Sequence, residues 1–398
     1  MATLIRDVRI FDGVKVVDAD TVLIAGDRIA EVGTRLDAPQ GSEVVSGAGG
    51  TLMPGLIDAH SHTSMGSLDQ GILGLRQALL LGVTTSLCMG SDPGVIARLK
   101  ALRRSDIADI RSAGVVATVA GSHPTQWFPD YPVLTTVADV ASFMRQRIAE
   151  GSDYLKLIIE DSSAIGKSTP FMPPELSAAV TAEAHARGLI VVCHAQCRRF
   201  VEQAIESGID GLAHQYVDQP ITAEFARFIK ESGVFVVMTL AVYHTVEGAG
   251  IADDPHLRPY LTAESRESLR QSVSGQEQFQ RYALGAVRPL AEAGVPILAG
   301  SDVSGPGTAH GATLHHELEL LVRGGLATTR ALAAATSLPA QHFRLHNRGR
   351  IQSGMRADLL LVNGDPTTNI LATRAIERIW RQGHPVDRQR LLVGRSAK

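Results

Sequence analysis

Two histidines separated by a single residue, His60 and His62, close the segment Leu52-Met53-Pro54-Gly55-Leu56-Ile57-Asp58-Ala59-His60-Ser61-His62. A Pro-Gly turn leads into a short apolar run there, and residues i and i+2 of a strand share a face. Two imidazoles can therefore stand side by side at a strand end, where they suit a divalent transition metal. Lys156 sits among apolar neighbours in Tyr154-Leu155-Lys156-Leu157-Ile158-Ile159. An ammonium in that setting has a high desolvation cost, so its pKa should fall. The neutral amine can then take up carbon dioxide as a carbamate, an anionic group with two oxygens able to bridge two ions. The plainer alternative is a lysine that reaches solvent or pairs with Asp153 or Glu160. His123, His194, His214 and Asp302 each follow or end another apolar run. Singly, each has an ordinary reading: a loop histidine, a hydrogen-bonded histidine, a helix N-cap. Together they put metal-ligand residue types at five of eight strand ends.

Those runs are the elements that must position the side chains. They cover residues 56–62, 83–89, 114–120, 154–159, 190–195, 211–215, 234–240 and 296–302, and amphipathic stretches separate them. Helices are expected over 68–81, 138–150, 174–187, 221–232 and 264–293, with two more at 311–323 and 328–341. Eight buried strands alternating with helices predict a (β/α)8 TIM barrel over residues 54–346, whose chemistry belongs at the carboxyl ends of the strands. Before it, β-rich runs at 4–11, 21–24, 28–32 and 42–46 are broken by Asp12-Gly13 and Gly26-Asp27. After it, residues 350–351, 359–362 and 376–381 read as strands. Residues 1–53 and 347–398 are thus expected to build one small composite β-sandwich domain. The insertion 243–277 after the seventh run is a candidate lid or substrate loop.

Composition narrows the classes. A net charge of -3 over 398 residues gives no electrostatic case for nucleic acid or an anionic membrane as partner. The chain start has no basic region followed by an apolar one, and no apolar run reaches membrane-spanning length, so a cytoplasmic protein acting on a small molecule is expected. Three cysteines, Cys88, Cys193 and Cys197, are too few for a disulfide framework and fit a reducing compartment. Cys193 and Cys197 bracket His194, but strand alternation turns Cys193 to the face opposite His194, which argues against a thiolate site.

The order His-x-His, Lys, His, His, Asp on runs one, four, five, six and eight resembles the binuclear branch of the amidohydrolase superfamily. The likeness covers almost the whole chain. Residues Pro54 to His62 look like its first signature. Ala335-Thr336-Ser337-Leu338-Pro339-Ala340, followed by Gly349-Arg350-Ile351-Gln352-Ser353-Gly354-Met355-Arg356-Ala357-Asp358-Leu359, is similar to its last. The resemblance implies two divalent ions, with zinc the expected metal. His60, His62 and Asp302 would hold the more buried ion and His194 and His214 the more exposed one, with carboxylated Lys156 and a hydroxide bridging them. Asp302 would also be the general acid and base.

Gly121-Ser122-His123, the segment Val237 to Tyr243, and His310-Gly311 with Glu317-Leu318-Glu319 look most like the Xaa-Pro dipeptidase or prolidase-like members. That likeness implies that His123 and Tyr243 contact substrate, with His244 and His310 as further candidates. It also makes a homo-oligomer a family expectation. The implied reaction is hydrolysis of a dipeptide or N-acyl amino acid amide bond. Hydrolysis of a cyclic amide, carbamate, ester or lactone is the alternative. A mononuclear deaminase fits less well, because Cys197 stands where that branch places a glutamate. A noncatalytic scaffold would be expected to have lost ligands that this chain keeps.

Overall fold

The computed structural model describes residues 2–393 apart from 64–65, 91, 127, 129, 274–276 and 304. Eight parallel strands follow one another in chain order: β1 (Leu56–Ser61), β2 (Val83–Cys88), β3 (Asp109–Ser112), β4 (Leu155–Ile158), β5 (Val191–His194), β6 (Gly211–Ala213), β7 (Phe235–Met238) and β8 (Ile297–Ala299). They form a three-stranded sheet, β3-β2-β1, and a five-stranded sheet, β4 to β8 in order. Two isolated parallel bridges link the sheets. Ala117 pairs with Leu157 on one side and Ser61 with Val303 on the other.

Strand alternation explains most of the side-chain placement. Tyr154, Ile190, Val192, Val237 and Leu298 belong to one enclosed apolar cluster. Leu155, Leu157, Val191, Cys193, Val236, Met238 and Ile297 face a second and larger one, shared with the helices. Two residues on from Tyr154, Val192 and Val237 stand Lys156, His194 and Thr239, and four on from Leu298 stands Asp302. The enclosed face therefore delivers these polar groups to the strand ends. At β1 the rule is broken. Ile57 and Ala59 face the enclosed cluster, so strict alternation would send His60 the other way. A register shift between Asp58 and Ser61 intervenes.

The third strand differs from expectation. Residues 114–120 contribute only the Ala117 bridge, and the regular strand is Asp109–Ser112. Its sequence, Asp-Ile-Arg-Ser, has too few apolar residues to mark it, whereas Gly114, at φ +67°, breaks the more apolar run. The expected helix 264–293 is two, Ala263–Arg270 and Glu277–Ala293, with 274–276 outside the described residues. The expected helix 328–341 is also two, Thr328–Ala334 and Ser337–His342. The helices Pro93–Ala101 and Arg198–Glu206 complete the alternation.

Both chain ends meet in a six-stranded sheet ordered His384–Pro385, Ile376–Arg381, Leu359–Val362, Thr51–Pro54, Arg9–Phe11, Val16–Val17. A four-stranded sheet holds Arg28–Gly33, Thr21–Ala25, Ala2–Arg6 and Glu43–Ser46. The run 4–11 is thus two strands, one in each sheet. No strand forms at 350–351, where Ile351 N–H instead donates to the Asp12 carbonyl. Leu359 and Leu361 pack with Ile5, Ile24 and Trp380, while Leu360 and Val362 turn to the core of the parallel strands. One strand thereby serves two cores.

The insertion 243–277 contains the helices Gly248–Asp253 and Ala263–Arg270. Ile251, Leu257, Leu261 and Leu269 give it a small core of its own against Leu81 and Ala309. Among the described residues no helix is long and apolar enough to cross a membrane.

Candidate metal centre

His60, His62 and Asp302 converge tightly. Asp302 Oδ1 lies 3.2 Å from His60 Nε2 and 3.1 Å from His62 Nε2, and the two Nε2 atoms are 3.3 Å apart. Donor atoms bound at about 2.0–2.2 Å to one ion stand roughly 3.0–3.6 Å from each other, so this triangle fits a divalent metal. His214 joins from β6, its Nε2 4.0 Å from Asp302 Oδ2 and its ring 4.8 Å from that of His60. One ligand atom each from His60, His214 and Asp302 lies within 4.8 Å of the others. His214 Nδ1 contacts Thr239 Oγ1 at 2.6 Å. With the proton on Nδ1, that contact leaves the Nε2 lone pair facing the centre.

Two of these residues hold unusual backbone conformations, with φ +117° at His214 and +46° at Asp302. Positive φ is uncommon for residues other than glycine and concentrates where the surroundings force it, often at functional sites. Gly300 shows how tight those surroundings are. A Cβ there would stand 2.6 Å from His60 Cβ and 2.8 Å from Val237.

Asp58 supports both ends of the triangle. It accepts from the His60 and Ser301 backbone N–H groups and, at 2.5 Å, from the Ser301 hydroxyl. Burial pushes its carboxyl up to about 6 against those hydrogen bonds. Burial and the nearby Lys156 charge depress His60 to about 3, and burial lowers His214 strongly, so both imidazoles stay neutral as metal ligands require. Burial alone would raise Asp302, but the adjacent His60 and the hydrogen bonds from His60 and His62 outweigh it and keep the carboxylate ionised.

Lys156 is buried on β4, and its ammonium is lowered to about 8 by burial, against the attraction of Asp302. Asp153 is not its partner, being taken by Lys100 at 2.7 Å and the Ser112 N–H at 2.8 Å. Glu160, four residues on, is buried with its Oε2 2.9 Å from His194 Nε2. The angles do not make a hydrogen bond, and both atoms lack one. His194 is edge-on to His214 at 4.8 Å and stacked on His123 at 5.2 Å. His123 is depressed to about 3, first by burial and then by His194.

Tyr243 lies within the field of Asp302 and Glu160, and burial raises its phenol so that it stays protonated. Its hydroxyl accepts from Gln196 Nε2 at 3.3 Å. His310 borders His62, which helps burial hold it near 4, and it packs on Gly74, where a Cβ would come within 2.8 Å. His244 goes elsewhere. Its Nδ1 meets Glu247 at 3.4 Å and Arg323 at 3.2 Å, which places it in the ion cluster of the insertion. Of the residues expected at the site, His244 is the one that the structure sets in a different cluster.

The sequence reading gave no role at the site to Asp58, Gln196 or Glu317, and offered Glu160 only as an ion-pair partner for Lys156. Glu317 is fully buried and accepts from the Ala241 N–H at 2.9 Å, pinning the turn before Tyr243. Thr239 was findable, since it continues the enclosed face of β7 two residues beyond Val237.

A sequence model of the Amidohydrolase family matches residues 51–387, and the chain belongs to that family, as a hydrolase acting on carbon–nitrogen bonds. An uncharacterised protein of Mycobacterium tuberculosis is 26% identical over 348 residues, 83% of this chain and 85% of its own length. An imidazolonepropionase of Deinococcus radiodurans is 24% identical over 386 residues, 90% of this chain and 89% of its own length. Among solved structures, a Xaa-Pro dipeptidase with bound methionine superposes with a TM-score of 0.80 at 22% identity, covering 97% of this chain and 99% of that one.

Proposed function

We propose that the protein hydrolyses the amide C–N bond of a dipeptide or N-acyl amino acid at a two-metal centre. In this reading β1–β8 form a (β/α)8 barrel over residues 54–346, and residues 1–53 and 347–398 form a composite β-sandwich beside it. The observation that carries the proposal is the triangle of His60 Nε2, His62 Nε2 and Asp302 Oδ1 at 3.1–3.3 Å. These three residues would hold one ion, and His194 and His214 the other, with Lys156, as its carbamate, between them. When bound, such ions polarise a carbonyl and lower the pKa of water.

The chain's own groups supply the remaining chemistry. Amide hydrolysis needs a base for the attacking water and an acid for the departing amine. Asp302 is held ionised and so can accept the first proton at Oδ2 and deliver it to the amine nitrogen. Tyr243 stays protonated, and because its oxygen already accepts from Gln196, its O–H is left to donate to a substrate oxygen. Neutral His123, stacked beside His194, would contact the substrate as the second such group.

The similarity along the chain to an imidazolonepropionase favours a cyclic C–N substrate as the second reading. A hydrolysis screen separates the two. Metal-loaded protein is offered dipeptides, N-acyl amino acids, cyclic amides, carbamates and lactones, with released amine and acid followed by mass spectrometry. Turnover of the linear amides is expected. Turnover of cyclic amides alone would replace the first reading with the second.

A further inference from the structure

Glu160 is a buried carboxylate for which the ligand set above has no use. It lies just beyond the carboxyl end of β4, four residues after Lys156, and is 6% exposed. A carboxylate so buried needs an opposing charge or hydrogen bonds. Its Oε2 makes none and faces His194 Nε2, also without a hydrogen bond, at 2.9 Å. That separation is close to the 3.1–3.3 Å of the His60, His62 and Asp302 triangle. It lies just below the roughly 3.0–3.6 Å range at which two donor atoms share one ion. His214 is the neighbour of His194, edge-on with ring centroids 4.8 Å apart.

Charge leads the same way. The cation that acts on Glu160 is Lys156, since His123 is held neutral by burial. If Lys156 is converted to a carbamate, a positive charge is lost and a negative one gained, so Glu160 is left among anions and neutral imidazoles. A second divalent ion restores the balance, and Glu160 brings the two-ion centre one charge nearer neutrality than Asp302 and the carbamate do alone.

We propose that Glu160 is a direct ligand of the second ion, alongside His194 and His214, so that each ion has a carboxylate of its own. This rests on the two-metal reading above and extends it to a residue outside the implied ligand set.

The test counts and probes metal directly. Wild type, E160Q, E160D and H194N are stripped and titrated with Co2+, with bound metal measured after equilibrium dialysis and the visible cobalt bands recorded. Wild type should bind two ions. E160Q should keep one tightly held ion, lose affinity for the other by roughly 100-fold, and lose the second ion's share of the cobalt spectrum; the loss exceeds what most outer-shell partners give. E160D, which keeps the charge but shortens the reach, should fall between. E160Q combined with H194N should cost no more than the larger single change, because both remove the same ion. Circular dichroism and the thermal midpoint of the metal-free proteins establish that the variants fold; were E160Q not to fold, E160D carries the same comparison. Two ions in E160Q and E160D at wild-type affinity, with unchanged cobalt bands, would overturn the assignment of Glu160 and leave the centre standing. A wild type that binds no divalent ion would overturn both.

Discussion

Asp302 sits where three demands meet. It touches both histidines of the first pair, it reaches toward His214, and it holds φ +46° to do so. Asparagine keeps the shape and one acceptor oxygen but cannot carry a proton away from water. Asp302→Asn should therefore lower kcat by roughly 10²–10⁴-fold, the range for loss of a general acid–base, with KM changed far less. Steady-state rates on whichever amide the screen identifies provide the check, and near-wild-type kcat would remove Asp302 from proton transfer. Lys156 allows a separate measurement. Its amine, lowered to about 8 by burial, has a substantial neutral fraction near pH 8, so carbon dioxide should be taken up there and released on acidification. A carbamate carbonyl signal is expected in 13C spectra of metal-loaded protein supplied with labelled bicarbonate. It should be missing in Lys156→Ala. A wild-type spectrum without that signal would favour the simpler lysine.

The strands show how much of this could be read beforehand. Lys156, His194 and Asp302 obey two-residue alternation from apolar neighbours on the enclosed face, so position in the sequence sufficed to find them. His60 and His214 were found by residue type, while the backbone that aims them, a register shift in β1 and φ +117° after β6, left no mark in the sequence. Glu160 continues the same alternation two residues beyond the end of β4, but the sequence offered it only as an alternative ion-pair partner for Lys156. The strand Asp109–Ser112 was hidden by its polar composition. Gly300, between β8 and Asp302, is a place where element geometry can be tested. An added methyl at 2.6 Å from His60 Cβ must push β8 and β1 apart. Gly300→Ala should reduce bound metal by at least one ion per chain while the far-ultraviolet dichroism keeps its native shape. Full metal content would show that the strands can yield.

The helix Ala312–Arg323 offers a pH test away from the candidate metal centre. His315 bonds Thr373 and the Leu81 carbonyl at 3.0 and 2.9 Å, and burial depresses it to about 4. Since its folded pKa is below the unfolded 6.5, its contribution to stability is complete above 6.5 and lost as pH falls through 4. The difference in unfolding free energy between wild type and His315→Gln should shrink by about 3 kcal/mol across that window. Urea titrations at pH 7.5 and 4 measure it, and a constant difference would contradict the assignment.

At the scale of the whole molecule, the question is what fixes the terminal sheets against the parallel strands. Thr51–Pro54 runs through Gly55 directly into β1, so the proposed ligands His60 and His62 are only a few residues from the six-stranded sheet. Beyond that covalent link and the packing of Leu360 and Val362, ion pairs brace the junction. Asp109, first residue of β3, accepts from Arg348 at 2.5 Å and from Arg356 at 3.0 Å. Both guanidinium groups are buried, and the pair holds Asp109 far below the usual carboxylate range, against the opposing effect of burial. Breaking such an arrangement from one side leaves buried charge without a partner, which costs more than the intact pair gains. Asp109→Asn removes the charge and keeps the shape, so it should destabilise the protein by about 3 kcal/mol. The expected signature is a lower urea midpoint with an unchanged slope, since the surface exposed on unfolding is the same. Asp109 stands at the amino end of its strand, whereas the proposed ligands His60, His194 and Asp302 lie at or beyond the carboxyl ends of theirs. Below the transition, bound metal and kcat should therefore match wild type. A variant that loses metal before it unfolds would mean that the junction also sets the spacing of the ligand-bearing strand ends, and the composite sheet would then be part of the catalytic scaffold as well as its brace.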